Sequence, residues 1–163
     1  MTLKGAAFMD TYFLRRVIAL GLAAIALSAQ AQDAVIGYVK TIEPSAQVVT
    51  GGVVEVASVG MALKLGQVLK TGRPGSLGIT LKDNTSMSIG PDSELRLDDY
   101  LFAPAKDELK LGVRLAKGSM YFISGAIAKL KPEAVTIKTP TGVIGVRGTQ
   151  FLVKAVPVPE VKP

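Results

Sequence analysis

Apolar and polar side chains alternate along most of the chain after residue 35, which is the pattern of β-strands that bury one face. In 77–81, Leu, Ile and Leu alternate with Gly and Thr, and in 109–115 four apolar residues alternate with Lys, Gly and Arg. Shorter alternating stretches follow at 120–122 and 135–137. No amphipathic helix of about ten residues is evident, and 125–130 is compatible with a single short helical turn.

Turn-forming residues separate these alternating stretches at close intervals. They occur as Gly-Gly at 51–52, Gly-Arg-Pro-Gly at 72–75, Gly-Pro-Asp at 90–92 and Lys-Pro at 131–132. Asp83-Asn84 suits a tight hairpin because both side chains tolerate a positive φ. The spacing predicts an all-β domain of about ten short strands. We expect a stacked or rolled antiparallel sheet, or a β-solenoid-like arrangement.

The inward-facing positions of the predicted strands define a hydrophobic core. The residues expected there are Leu77, Ile79, Leu81, Met87, Ile89, Leu95, Leu97, Val113, Leu115, Phe122, Val135, Ile137, Val146, Phe151 and Val153.

The first 31 residues have the pattern of a secretory signal peptide. An Arg-Arg pair precedes an apolar run of 11 residues, 17–27, which is well short of the about 20 residues needed to span a bilayer. Ala29 and Ala31 then form an A-x-A cleavage site, so we expect Gln32 to become the new N-terminus. The alternative interpretation is an uncleaved anchor or a buried helix.

The chain therefore divides into a signal-peptide helix (1–31), a β domain (32–154) and a tail (155–163). The tail alternates Pro with Val, and because Pro removes ladder donors we expect it to be disordered or extended.

Composition excludes several kinds of chemistry. The chain contains no Cys and no His, which excludes disulfides, thiol nucleophiles, imidazole-based triads and zinc sites built from those residues. The carboxylate pairs Asp98-Asp99 and Asp107-Glu108 lack the facing geometry of a glycosidase, and no calcium-loop spacing is present. We predict a protein without enzymatic activity, cofactor or metal.

The charge is mildly basic. The net charge of +6 falls to +4 once residues 1–31, with three basic and one acidic side chain, are removed. Basic residues are scattered and do not interleave with aromatic residues, which argues against a nucleic-acid partner. A small positive excess suits contact with anionic polymers of the cell envelope.

Three separated segments resemble the FecR domain family. Residues 139–153 contain Thr-Pro followed by Val-Arg-Gly-Thr-Gln-Phe-Leu-Val, 66–72 match G-x-x-L-x-T-G, and 77–95 resemble the family's central hairpin and its P-x-S-x-L turn. One departure is Asn84, where the family usually has Gly. The likeness covers roughly 35–154. The motif residues, which we expect to be structural, are Thr71, Gly72, Asp83, Thr139, Pro140, Val146, Arg147, Gly148, Thr149 and Phe151.

In sigma regulators of this family, the domain lies in the periplasm behind a cytoplasmic anti-sigma region and a transmembrane helix. We expect neither part here, so the resemblance implies the fold and a periplasmic or secreted location, without the anti-sigma role. It implies a binding module for an envelope protein in signalling, working by strand addition or surface docking. The alternative is a structural envelope protein that binds peptidoglycan or another anionic polysaccharide, in which case binding should weaken sharply with salt.

Arg147 permits two interpretations. Its guanidinium could present a forked cation to a carboxylate or phosphate on a partner. Alternatively, it pairs with an internal acid or with backbone carbonyls and fixes the last strands. We favour the second interpretation because the neighbouring Gly148 and Thr149 indicate close packing.

Overall fold

The computed structural model describes residues 34–148 and 150–157. These residues form an all-β fold, as predicted, with twelve strands and one short α-helix. The strands are β1 (Val35–Ile42), β2 (Ala46–Thr50), β3 (Val53–Val56), β4 (Ala62–Lys64), β5 (Val68–Thr71), β6 (Leu77–Leu81), β7 (Ser86–Ile89), β8 (Glu94–Ala103), β9 (Glu108–Ile123), β10 (Val135–Thr139), β11 (Gly142–Gly145) and β12 (Gln150–Ala155). The helix α1 is Ala126–Leu130, and two 3₁₀ helices span Pro104–Lys106 and Pro132–Ala134.

One long strand joins two halves of a curled sheet. The second half of β9 lies in what we call sheet 1, with the order β12-β9-β7-β6-β1-β4. Its first half lies in sheet 2, with the order β3-β2-β5-β8-β9-β10-β11. All neighbours are antiparallel except β9 and β10, which run parallel. The two alternating stretches at 109–115 and 120–122 thus belong to a single strand of 16 residues.

β9 passes from sheet 2 to sheet 1 at an irregularity in its pairing with β8. Leu115 pairs with Leu95 and Lys117 with Glu94, so one residue of β9 bulges between them. Gly118 follows with a φ of 89°, and a Cβ there would lie 2.6 Å from the Cα of Ser93. Only glycine fits this position without moving backbone.

The core lies on the inner faces of both sheets. Of the 15 residues predicted to be buried, all are buried except Phe151, which is half-buried and packs against the core. The Phe151 ring stacks on Phe122 with 5.0 Å between ring centroids. Buried residues outside the predicted set include Leu63, Leu69 and Ile127.

The hairpin predicted at Asp83-Asn84 connects β6 and β7. Asn84 has a φ of 64° and its N–H donates to the carbonyl of Leu81 at 3.0 Å, which confirms the turn. The short helical turn compatible with 125–130 is α1. Within the described residues, no helix is long and apolar enough to cross a membrane.

Candidate functional site

The β10–β11 hairpin contains the first half of the motif at 139–151. Thr139 pairs with Gly142, so only Pro140 and Thr141 connect the two strands. The Thr139 hydroxyl donates a hydrogen bond to the Gly142 carbonyl at 3.1 Å, so a side chain as well as the backbone ladder stabilises the turn. These motif residues therefore shape a tight hairpin at one end of sheet 2.

The residues that follow the hairpin attach it to the core. Val146 is 4% exposed and belongs to the hydrophobic core. Gly148 has a φ of 126°, and its carbonyl accepts a hydrogen bond of 2.8 Å from the Ser124 hydroxyl. Phe151 stacks on Phe122 in β9. Thr149 lies outside the described residues.

Arg147 differs from its neighbours because it is exposed. Within residues 34–148 and 150–157, it makes no hydrogen bond or ion pair. The internal pairing that we favoured from the sequence is not found in this part of the chain. The five N–H donors of the guanidinium are therefore unpaired within the described part of the chain.

Two open clefts lie on either side of Arg147. Both are lined by Ile144, Gly145, Val146 and Arg147 itself. The first, with a volume of about 470 Å³, continues along Val135 and Val143, and the second, of about 380 Å³, continues along Phe151 to Lys154. Val143 and Leu152 are each 68% exposed, so apolar side chains stand in solvent beside both clefts.

Two free sheet edges meet at this position. Among the described strands, β11 pairs only with β10, and β12 pairs only with β9. Unpaired edge strands offer backbone donors and acceptors to an incoming strand. The segment 146–149 connects them, so Arg147 stands between the edge of sheet 2 and the edge of sheet 1.

A row of basic side chains crosses the outer face of sheet 2 and ends on the hairpin. Arg96, Arg114 and Lys138 are directly opposite one another on three neighbouring strands. The carboxylate of Asp98 lies 3.2 Å from both arginines, but Lys138 has no ion pair among the described residues. Like charges in opposite positions normally cost stability. Asp98 compensates the two arginines, so Lys138 is the cation of this row that lacks a counter-charge among the described residues.

The upstream motif residues Thr71 and Gly72 form hydrogen bonds and close contacts with neighbouring turns. The Thr71 hydroxyl donates to the Gly90 carbonyl at 2.6 Å and accepts from the Ser93 N–H at 3.0 Å. A Cβ at Gly72 would lie 2.9 Å from the Cβ of Ser45, and the Gly72 N–H donates to the Ser45 carbonyl. Thr71 therefore attaches the end of β5 to the turn before β8, and Gly72 attaches it to the turn before β2.

Asp83 is a buried carboxylate, only 1% exposed. It accepts hydrogen bonds from the Thr85 hydroxyl at 2.6 Å, from the Ile127 N–H at 3.2 Å and from the Tyr100 hydroxyl at 3.4 Å. Burial and the neighbouring Asp83 charge raise the pKa of Tyr100 above its ordinary value of 10.0. Asp83 thus joins the β6–β7 hairpin, α1 and β8, a role that the turn pattern alone did not indicate.

The structure brings the hairpin residues Thr139, Pro140, Gly142 and Val143 together with Lys138 and Arg114 around one open cleft. Sequence reasoning missed Lys138 and Arg114. The sequence contains no local pattern that links Lys138 to Arg114, because the two residues are adjacent only across neighbouring strands. The cleavage-site residues Ala29, Ala31 and Gln32 lie outside the described part of the chain. No group of three or more metal-ligating side chains occurs among the residues that the structure describes.

Comparison with known protein families matches residues 67–159 to the family described as FecR protein. No curated protein and no solved structure matches the chain. The matched segment covers more than half of the 163 residues and includes the hairpin, Arg147 and the Asp83 turn. The resemblance found in the sequence is therefore confirmed, and the chain belongs to the FecR family.

Proposed function

We propose that this protein is an extracytoplasmic binding module in envelope signalling, and that it contacts its partner protein at the β11–β12 end of the fold. The observation that carries the proposal is Arg147, an exposed motif residue without a partner in the described structure, standing between two free strand edges. The FecR family is a signalling and regulatory family, which supports a binding role over an enzymatic one.

The chemistry of the surface supports a protein as the partner. A polypeptide offers backbone groups for the free edges of β11 and β12, apolar side chains for Val143 and Leu152, and a carboxylate for Arg147. A polysaccharide matches the positive charge but not the unpaired strand edges. The location of the protein outside the cytoplasm rests on the pattern of residues 1–31 and on the family.

In-cell photo-cross-linking tests the proposal. A photoreactive amino acid replaces Val143 in the full chain, and a matched control carries it at Val53, which is 63% exposed on β3 at the other edge of sheet 2. We expect one defined envelope protein to be captured from position 143 and not from position 53, and Arg147→Glu to abolish this capture.

Two outcomes would contradict the proposal. Equal capture from both positions would show that the β11–β12 end is not the contact surface. Recovery of cell-wall material alone, decreasing steeply with added salt, would favour a structural protein that binds anionic polysaccharide.

A further inference from the structure

We infer that the β11 edge binds an extended acidic segment of the partner by strand addition, with acidic and apolar side chains alternating along that segment. This inference rests on the proposed function and specifies which edge, which backbone groups and which side-chain chemistry carry it.

The two-residue connection determines which backbone groups of β11 are free. Because only Pro140 and Thr141 separate the strands, Thr139 and Gly142 form the hydrogen-bonded closing pair. The antiparallel ladder alternates from there, so Ile144 bonds to β10 and Val143 does not. The N–H and C=O groups of Val143 and Gly145 consequently point towards the free edge.

β11 lacks the features that usually protect an edge strand. Its four residues are all exposed and none is charged or proline. A Cβ built at Gly142 or Gly145 would meet no atom within 4 Å, so neither glycine packs against a neighbouring side chain in that direction. Other edges differ, since β3 contains Glu55 and β12 contains Lys154. An incoming strand therefore meets least hindrance at β11.

The charges beside β11 select the partner. Lys138 is opposite Val143, and Arg114 is opposite Lys138 on the next strand. All three side chains lie on one face of the sheet, because opposite residues share a face. An added strand would place its side chains on this face within reach of Lys138. Arg147 lies two residues after the last residue of β11. Arg114 is already paired with Asp98, so acidic side chains at these positions would supply the counter-charge that Lys138 lacks among the described residues.

The other face of the added strand meets apolar surface. Ile144 faces the same side as the buried Ile137 and lines the cleft of about 470 Å³ together with Val135 and Val146. Glu133 is the one acidic side chain in that cleft. Apolar side chains on this face would extend the hydrophobic core past Ile137. The complementary segment is thus acidic on one face and apolar on the other.

A pair of synthetic peptides tests this inference on the purified protein. The probe alternates Glu with Val, and its matched control alternates Lys with Val at the same length. Binding is measured by fluorescence anisotropy, and the contact site is mapped by the amide chemical shifts of the labelled protein. We expect the Glu peptide to bind at least about tenfold more tightly than the Lys peptide, with the largest shifts at Val143 and Gly145.

Two variants separate backbone pairing from charge. Val143→Pro removes an N–H that points away from β10, so the hairpin should remain folded while affinity falls about tenfold. Val143→Thr keeps the N–H and the β-branched shape, and should bind like the wild type. Lys138→Gln should weaken binding of the Glu peptide and reduce its salt dependence.

The results distinguish this inference from the function on which it rests. Equal binding of the two peptides, normal binding by Val143→Pro, or shifts confined to β3 or β12 would each overturn strand addition at β11. Concentration-dependent shifts at Val143 without peptide would indicate a second copy of the chain instead. A soluble polyuronate is added as a competitor. If it displaces the Glu peptide from the wild type and also binds the Val143→Pro variant with normal affinity, the surface is a polyanion site and not a site of strand addition. In each case, cross-linking from position 143 to one envelope protein would leave the proposed function standing.

Discussion

The carboxylate of Asp83 accepts a hydrogen bond from the backbone N–H of Ile127, 3.2 Å away and 44 residues later in the chain. This contact links the tight turn between β6 and β7 to the first residues of α1. The family's motif aspartate therefore holds together two segments that no strand ladder connects.

Asp83→Asn should destabilise the fold by about 2–3 kcal/mol. Both oxygens of the Asp83 carboxylate accept hydrogen bonds, and asparagine has an NH2 donor in place of one of them, which leaves a buried donor unpaired. Urea unfolding followed by circular dichroism measures the change. Asp107→Asn is the matched control, since Asp107 is exposed and asparagine tolerates its φ of 55°. A loss equal to that of the control would show that the buried network contributes little.

Tyr100→Phe should lower the free energy of unfolding by about 1 kcal/mol at neutral pH, because the hydroxyl accepts from the Asp83 N–H at 2.9 Å. The pKa of Tyr100 is raised in the folded state, so its contribution is complete below its ordinary value of 10.0 and is lost as the pH rises towards the folded-state value. The difference in stability between wild type and variant should therefore narrow above about pH 10. A constant difference across the alkaline range would contradict this.

Phe151→Ala should destabilise the protein by about 3 kcal/mol, because it removes the ring that stacks on Phe122 at 5.0 Å and attaches β12 to sheet 1. Hydrogen exchange should show the largest loss of protection in β12. Leu152→Ala on the same strand is the control, and with 68% exposure it should change stability by no more than about 0.5 kcal/mol.

Gly118→Ala should cost at least about 3 kcal/mol, because the added Cβ meets backbone at 2.6 Å as well as an unfavourable φ. Gly66→Ala separates the two effects, since Gly66 also has a positive φ but its Cβ would meet nothing within 4 Å. We expect about 1 kcal/mol there, measured by the same urea titration. Similar losses at both sites would show that the bulge in β9 relaxes easily.

Lys138→Gln should leave stability unchanged or raise it by about 0.3 kcal/mol at low salt, because it removes a like charge opposite Arg114. Thermal unfolding at low and high salt measures this, with Lys40→Gln on β1 as the control. A clear loss of stability would assign Lys138 a structural role and weaken the argument that it serves a partner.

The sequence predicted the fold best where one face of a strand is buried. Period-two alternation identified β6, β7 and the two ends of β9, and Asp83-Asn84 identified the hairpin. The alternation is absent from β3 and β11, whose residues are all exposed, and β4 has only three residues. These strands explain why about ten strands were expected, whereas the described residues form twelve.

The candidate site was predictable only in part. The family motif indicated Arg147, and its neighbours Gly148 and Thr149 suggested close packing. Gly148 is instead exposed, and a Cβ built there would meet no atom within 4 Å, although its carbonyl accepts from Ser124. Arg147 has no partner among the described residues. Lys138 and Arg114 become neighbours only through the parallel pairing of β9 with β10, a long-range contact that local pattern does not encode.

The shared strand β9 has a consequence for folding. Before β9 is in place, the preceding strands can form only two separate groups, β4-β1-β6-β7 and β3-β2-β5-β8, with no ladder between β7 and β8. Among the described strands, β10 forms ladders with β9 and β11, and β12 forms a ladder with β9 alone. β9 joins the second group locally, through its hairpin with β8, but it joins the first group through pairs such as Ser86 and Ile123, which are distant in sequence. Because both sheets share β9, the domain should unfold in one cooperative transition in which the pairings of β9 with both sheets are lost together.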